Sequence, residues 1–294
     1  MMLMNLQLMR QRVGDNRQAV QRDNPRNQPG IPVNTTSQFH CSLLYRTGAP
    51  AESRLRLHAP PQNHTMDTDS MKHYDTWIFD LDGTITDTTA VWIQIFRDCL
   101  KHVGVNDTAF TDTEIAKYTH DWNTVIKLGV DPDKVPAFAK YAAALANKRL
   151  PDAELFPNAR ETLQELRARG MRVGIFSAMD RDIFEPAMQH RQLYDVAEVG
   201  VAGTDVANRK PAPDGILKAL ADLGVPEQDF GTVAYMGDKD TDIQAAHSAG
   251  IDAILFFPPG HQVIYDKEAV LQHKPEAVIT GWQDLLTLLQ TPVV

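Results

Sequence analysis

The chain has 294 residues, 43% of them hydrophobic, and a net charge of −9, which suffices for a full core in one or two domains. The acidic excess argues against nucleic acid or an anionic membrane surface as a partner, because both attract Lys and Arg. No apolar run approaches the roughly 20 residues that a membrane span needs. Cys41 and Cys99 lack metal-site or redox-pair spacing, which indicates a reducing, cytoplasmic compartment.

The N-terminal part differs in composition from the remainder. Residues 1–65 contain eight Arg, no Lys and three acidic residues, a charge of +5, so that the remainder carries −14. The abundance of Gln, Asn, Arg and Pro, without sustained periodicity, predicts a disordered extension over residues 1–70. An organellar transit peptide shares this composition. We rank ahead of it a start codon assigned too far upstream, with Met66 or Met71 as the true start.

From Asp75 onward, short apolar runs alternate with helical patterns. This alternation is typical of the α/β class, here a doubly wound parallel sheet with helices on both faces. Helices are predicted at Asn158–Arg169 and Pro213–Leu223, each followed by a glycine that ends it. Strands are predicted at 75–80, 171–176, 197–202, 232–236, 252–256 and 276–280.

The interval between Asp87 and Phe156 breaks the alternation and is helical throughout. Its first helix keeps apolar residues at helical spacing, and Thr111–Glu114 has the form of a capping box that opens a second helix. An Ala-rich helix is predicted at Val135–Leu150. The pattern predicts an all-helical insertion at 88–155, which leaves 71–87 and 156–294 as the core domain.

The first predicted strand ends at two carboxylates, Asp80 and Asp82. Because they lie two positions apart, both side chains leave the strand end on one face. Two buried acids so close would raise each other's pKa unless a cation lay between them, which favours a divalent metal. One acid could act as a nucleophile while the other exchanges a proton. Taken alone, the motif favours a plain strand followed by an Asp-Gly turn, which is common.

Three more strand ends carry polar groups that phosphoryl transfer needs. Ser177 supplies a hydroxyl, followed by backbone N–H groups that can hold a phosphate oxygen. Lys210 precedes Pro211, which favours extended backbone at the start of a helix. Asp238 and Asp242, four residues apart at a helix opening, could complete a metal site or hold its ligands. All lie at carboxyl ends of strands, where open α/β sheets bind ligands.

Four segments of the chain resemble, in order, the signatures of the haloacid dehalogenase superfamily of phosphohydrolases. The resemblance is close over roughly residues 75–257, and the helical insertion resembles the C1-type cap of that family. The segments are Asp80-Leu-Asp-Gly-Thr84, Ser177, Lys210 and Gly237-Asp-Lys-Asp-Thr-Asp242.

The resemblance implies roles for four carboxylates. Asp80 would attack phosphorus and form an aspartyl-phosphate, and Asp82 would protonate the leaving oxygen and later activate water. Mg²⁺ would be held by Asp80, Asp238 and the backbone carbonyl of Asp82. Asp242 would either touch the metal or orient its ligands.

The resemblance also implies a phosphate-binding set. Ser177, the N–H of Ala178 and the Lys210 ammonium would bind the phosphoryl oxygens, and Lys210 would also neutralise Asp80. The chain departs from its relatives at Ala178, where many have asparagine or another polar residue. The N–H can still donate, but a side-chain contact to the substrate is missing.

A capped member of this superfamily is expected to act on a small phosphorylated metabolite, as a monomer or homodimer, and phosphoglycolate phosphatase-like is the best subfamily label. An acid at position 82 does not fit a dehalogenase or the phosphonate-cleaving members. A sugar phosphomutase resembling β-phosphoglucomutase keeps the same acid and is the alternative. A binding module without turnover is less consistent with the chain, because the nucleophile, the acid and the lysine are all present.

We expect deletion of residues 1–65 to leave folding and catalysis intact, because a polar leader without an apolar face contributes little buried area. The thermal midpoint and turnover of the truncated protein should equal those of the full chain. A large fall in either would refute the prediction.

Overall fold

The computed structural model describes residues 72–119 and 122–290, so the predicted N-terminal extension lies outside the described residues. The core is a six-stranded sheet in which every neighbouring pair is parallel. The strands are β1 (Thr76–Phe79), β2 (Arg172–Phe176), β3 (Val199–Val201), β4 (Val233–Gly237), β5 (Asp252–Phe256) and β6 (Ala277–Ile279). The α/β class is confirmed, and all six predicted strands are present with ends that shift by up to two residues.

Nine α-helices accompany the sheet within the described residues. They are α1 (Thr89–His102), α2 (Asp112–Ala116), α3 (Val135–Arg149), α4 (Ala159–Ala168), α5 (Arg181–His190), α6 (Asp214–Leu223), α7 (Asp240–Ala249), α8 (Lys267–Leu271) and α9 (Trp282–Gln290). Short 3₁₀ segments join them, among them Trp122–Leu128 and Pro259–Val263. Each described helix is too short or too polar to cross a membrane.

Strand β1 lies at the centre of the sheet because the strand order is β3-β2-β1-β4-β5-β6. The chain first builds outward from β1 through β2 to β3, then returns to β4 on the other side and continues to β6. The order therefore reverses between β1 and β4. Ligands of open α/β sheets bind at such a reversal, beyond the carboxyl ends of the strands.

Two hydrophobic clusters cover the two faces of the sheet. Trp77 and Phe79 of β1 point into one cluster and Ile78 points into the other, as the alternation of strand side chains requires. Trp77 and Phe79 are stacked 5.7 Å apart, and Phe79 also contacts the ring of Trp282 in α9. Burial on both faces explains why this strand is a continuous apolar run.

Helices α1, α2 and α3 share a third hydrophobic cluster of their own. Phe96 of α1 meets Phe138 of α3 edge to face at 5.2 Å, and Ile115 of α2 is fully buried beside them. The capping box at the start of α2 is present, with Thr111 and Glu114 bonded reciprocally. The helical character of the insertion is confirmed, whereas its domain boundaries at 88 and 155 stay a prediction.

Candidate active site

The first two carboxylates of the site are positioned by neighbouring strands at the reversal of the sheet. Asp80 follows β1 and Asp238 follows β4, and the Asp80 N–H continues the ladder by donating to the carbonyl of Met236 at 2.8 Å. Among the described residues, Asp80, Asp238 and Asp242 form a group whose oxygens lie within 4.8 Å of one another. Each of the three is at most 4% exposed.

Two glycines make room for this group. Gly83 has a φ of +84°, and a Cβ there would lie 2.6 Å from Asp238 Oδ2. A Cβ on Gly237 would lie 2.4 Å from Asp242 Cγ. Only a residue without a side chain lets the backbone approach the carboxylates so closely. Gly83 in the first signature and Gly237 in the last therefore have a packing role beside the carboxylates.

Lys210 joins two of the carboxylates. Its Nζ donates to Asp80 Oδ1 at 2.6 Å and to Asp242 Oδ1 at 2.7 Å, and its side chain is only 5% exposed. The ammonium also lies 4.9 Å and 5.2 Å from the ring centres of Phe176 and Tyr235. Burial alone would lower the pKa of Lys210, but the charges of Asp242 and Asp80 outweigh it and raise the pKa. The lysine is therefore a permanent cation against Asp80.

Asp242 uses both carboxylate oxygens within the protein. Oδ1 accepts from Lys210 and from the Tyr235 hydroxyl at 3.2 Å. Oδ2 accepts the backbone N–H groups of Asp238 at 3.1 Å and Lys239 at 2.9 Å. These bonds hold the turn that presents Asp238. They favour the orienting role for Asp242 over direct metal ligation.

Asp238 has an unsatisfied oxygen. Its Oδ1 is buried without a hydrogen-bond partner in the described part of the chain. Burial, with the nearby charges of Asp242 and Asp80, raises the pKa of Asp238 to about 8, and burial likewise raises that of Asp80 to about 6. An unpaired carboxylate in such surroundings is costly unless a cation compensates it. The donor set consists of hard oxygens, which fits Mg²⁺ held by Asp80 and Asp238.

These raised pKa values predict how pH changes stability. Asp80 and Asp238 keep protons in the folded metal-free protein that the unfolded chain releases near pH 4, so the free energy of unfolding should fall as pH rises from about 4 to about 8. Mg²⁺ should reduce this fall by replacing the protons. Urea titrations at pH 5 and pH 8, with and without Mg²⁺, measure it. The Asp238→Asn variant is the control, and a fall as steep as in the wild type would contradict the assignment.

Asp82 lies apart from the buried carboxylates, although it is two residues from Asp80. Its side chain is half-buried and accepts a short hydrogen bond from the Thr88 hydroxyl. The indole Nε1 of Trp92 lies 3.3 Å from Asp82 Oδ1 and 3.4 Å from Oδ2. Its carboxylate does not belong to the three-carboxylate group found in the described residues. The acid and base role expected for Asp82 stays a prediction.

The phosphate-binding candidates lie at the end of β2. Ser177 is 1% exposed, its N–H donates to the carbonyl of Val201 at 3.1 Å, and its hydroxyl oxygen accepts the N–H of Met179 at 3.3 Å. Ala178 is exposed, and its carbonyl accepts from Arg209 at 2.8 Å. Ser177 follows Phe176, whose ring contacts the Lys210 ammonium. The end of β2 and the loop that carries Lys210 therefore meet beside Asp80. Phosphate binding by these groups stays a prediction.

Sequence reasoning missed His261 and Lys239. His261 is 2% exposed, and its Nδ1 lies 4.0 Å from Asp238 Oδ2 without a hydrogen-bond partner among the described residues. Burial together with the charge of Lys239 lowers its pKa to about 4. The imidazole is therefore neutral. No local signal distinguishes it, because it follows a Pro-Pro-Gly sequence in the short 3₁₀ segment Pro259–Val263 after β5. Lys239 was visible within the last signature, between two aspartates.

The geometry can support nucleophilic catalysis by a carboxylate. Asp80 is buried against a cation, Asp238 has an oxygen free for a metal, and Asp82 is positioned separately with access to solvent. Such a division is what a reaction with a carboxylate nucleophile, a compensating charge and a separate proton carrier requires.

Comparisons with known proteins agree with this geometry. A family model described as haloacid dehalogenase-like hydrolase matches residues 77–256. A phosphoglycolate phosphatase of Salmonella choleraesuis (strain SC-B67) is 31% identical over 140 residues, which cover 47% of this chain and 52% of the relative. The chain thus matches about half the length of the first curated relatives. A phosphoglycolate phosphatase of Shigella boydii serotype 4 (strain Sb227) is 26% identical over 242 residues, or 73% of this chain and 92% of the relative.

A solved structure extends the likeness to the fold. The crystal structure of a predicted phosphoglycolate phosphatase from Haemophilus somnus 129pt superposes with a TM-score of 0.60 at 20% identity. The match covers 75% of this chain and all of the other. At this identity the comparison shows the fold alone.

Proposed function

Because the chain belongs to the haloacid dehalogenase-like hydrolases, we propose that it is an Mg²⁺-dependent phosphatase of a small phosphorylated metabolite. The carrying observation is the arrangement of Asp80, which is buried, bonded to Lys210 at 2.6 Å and adjacent to the unsatisfied Asp238. If the Asp80–Lys210 ion pair served stability alone, the nearby carboxylate of Asp238 would not be needed. A phosphoryl-transfer site needs one for its metal.

In the first half-reaction, a carboxylate oxygen of Asp80 attacks phosphorus and forms an aspartyl-phosphate. The phosphorus–oxygen ester bond breaks, and Asp82 gives its proton to the leaving oxygen. Lys210 keeps Asp80 ionised and offsets the charge on the phosphoryl group. In the second half-reaction, Asp82 takes a proton from water, whose oxygen attacks phosphorus. The bond from Asp80 to phosphorus then breaks and inorganic phosphate is released.

The metal would be held by Asp80 and Asp238, with the backbone carbonyl of Asp82 as a further ligand, while Asp242 orients the turn. When bound, it supplies positive charge that screens the nucleophile from the phosphoryl oxygens. Lys210 and Lys239 supply two positive charges beside Asp80, Asp238 and Asp242, which still leaves an excess of negative charge among the three buried carboxylates. That excess supports a divalent cation as the completing group.

The substrate class follows from the helical insertion and the relatives. Helices α1–α3 form a hydrophobic cluster that packs against Met179 and Ile183, just beyond the carboxyl end of β2, a position suited to a cap over a small substrate. We take a phosphoglycolate-like monoester as the first candidate because curated relatives carry that activity in their names. We further propose a cytoplasmic monomer or homodimer that acts without nucleic acid or membrane partners.

The test is release of inorganic phosphate from 4-nitrophenyl phosphate with Mg²⁺, with Ca²⁺ and after chelation. We expect turnover with Mg²⁺ alone, because Ca²⁺ binds with looser geometry and inhibits. A screen of phosphorylated metabolites, including phosphoglycolate and hexose phosphates, then identifies the substrate. Full activity after exhaustive chelation would contradict the metal, and absence of phosphate release from every compound would refute the phosphatase. A hexose phosphate isomerised faster than it is hydrolysed would establish the mutase instead.

A further inference from the structure

The proton-exchanging carboxyl of Asp82 is held by two donors from one helix face. The hydroxyl of Thr88, at the N-cap of α1, bonds to Oδ1, and the indole N–H of Trp92 lies between the two oxygens at 3.3 Å and 3.4 Å. The backbone N–H of Trp92 donates to the carbonyl of Thr88 at 2.9 Å. The two donors therefore lie one helical turn apart on the same face.

Helix α1 belongs to the insertion and is anchored there. Its side chains Phe96, Cys99 and Leu100 are fully buried in the cluster shared by α1, α2 and α3. Asp80, in contrast, is bonded to Lys210, which also binds Asp242 at the start of α7. Two carboxylates two residues apart are thus held by different parts of the protein. The nucleophile is held by the core and the proton carrier by the insertion.

We propose that Trp92, together with Thr88, is a positioning residue that orients the Asp82 carboxyl and makes proton transfer depend on helix α1. This inference rests on the proposed function. An indole N–H only donates, so Trp92 can fix the carboxyl without competing for the proton that Asp82 must carry. Contact with both oxygens restrains rotation of the carboxyl about its terminal torsion, which is otherwise broad.

The test uses the dependence of rate on the leaving group. Trp92→Phe keeps an aromatic ring and removes the N–H. Hydrogen bonds to charged groups contribute enough that their loss should slow phosphoenzyme formation from an alkyl phosphate about tenfold. With 4-nitrophenyl phosphate, whose leaving group needs little protonation, formation should change less than about twofold. Rapid-quench measurement of the first half-reaction gives both rates and their ratio.

Trp282→Phe is the matched control. Its indole N–H donates to the carbonyl of Thr84 at 2.9 Å, in the same loop as Asp82, and it is 1% exposed. Losing that bond should lower thermal stability but leave the ratio of the alkyl to nitrophenyl rates as in the wild type. Thr88→Val and Thr88→Ser form a second pair. Valine should lower the ratio and serine, which keeps the hydroxyl, should restore it.

The outcomes separate this inference from the proposed function. Folded Trp92→Phe protein with a wild-type ratio, or with both substrates slowed equally, would overturn the positioning role. Should Trp92→Phe not fold, equal ratios in the Thr88→Val and Thr88→Ser proteins would overturn it. A wild-type protein inactive on both substrates would refute the proposed function, and this inference with it.

Discussion

Asp80→Asn should abolish phosphate release and leave no phosphoenzyme, because the proposed mechanism assigns the attacking oxygen and one ligand of the metal to the Asp80 carboxylate. Asp82→Asn should keep the nucleophile and lose the proton carrier. General acid–base catalysis contributes on the order of 10² to 10⁴ in rate, so the second variant should be severely impaired but measurable. The two side chains are identical, yet the structure buries the first against Lys210 and leaves the second half-buried beside Trp92.

The leaving group should separate the two roles further. With an alkyl phosphate, Asp82→Asn should slow both half-reactions. With 4-nitrophenyl phosphate, formation of the intermediate should survive better than its hydrolysis, so that phosphoenzyme accumulates. Rapid-quench detection of acid-stable, hydroxylamine-sensitive phosphoenzyme measures this in both variants. Phosphoenzyme in the Asp80 variant, or unaltered turnover in the Asp82 variant, would mean that the roles are reversed or absent.

Lys210→Met should eliminate activity and also destabilise the fold. The substitution leaves Asp80 and Asp242 buried without the ammonium that lies 2.6 Å and 2.7 Å from them. Removing one partner of a buried ion pair costs about 3–5 kcal/mol in free energy of unfolding. The loss should be smaller at acid pH, because burial raises the pKa of Asp80 to about 6 and a proton can then neutralise it. It should also be smaller with Mg²⁺, which supplies a substitute charge.

Lys218→Met is the matched control for this loss. Lys218 lies in α6 and bonds to Asp222 at 2.9 Å, one turn along the helix, with 39% of its side chain exposed. Exposed ion pairs one helical turn apart contribute about 0.5 kcal/mol or less to the free energy of unfolding. Chemical unfolding of both variants at pH 7 gives the comparison. Equal stabilities of the two variants would show that the buried bridge contributes no more than an exposed one.

Local patterns in the sequence determined the class of the fold and the order of its elements. The apolar run before Asp80 and the runs before Ser177 and Asp238 predict buried parallel strands, since a strand covered on both faces must be apolar throughout. Glycine and proline mark where the strands and helices end. Such signals depend on neighbours within a few residues, which is why the six strands could be predicted with ends that differ by so little.

The contacts of the site were decided by the tertiary structure. Lys210 and Asp80 are 130 residues apart in the sequence, and their 2.6 Å contact depends on the order of strands in the sheet. The sequence left two roles open for Asp242, and only the tertiary structure shows that its oxygens accept from Lys210, from Tyr235 and from the backbone of the turn at Asp238. Nor could it indicate that His261 faces Asp238, because a histidine in a loop carries no periodic signal.

Asp80 and Asp82 show most clearly the difference between what the sequence predicts and what the tertiary structure decides. Their spacing predicts that Asp80 and Asp82 leave the strand end on one face, but β1 ends at Phe79 and the structure places only Asp80 in the group of buried carboxylates. Their different surroundings depend on the packing of two other segments. Helix α1 places Trp92 against Asp82, and the loop that carries Lys210 places its ammonium against Asp80. Residue spacing reports the geometry of one backbone segment, whereas the partner of each side chain is set by the packing of segments distant in the chain.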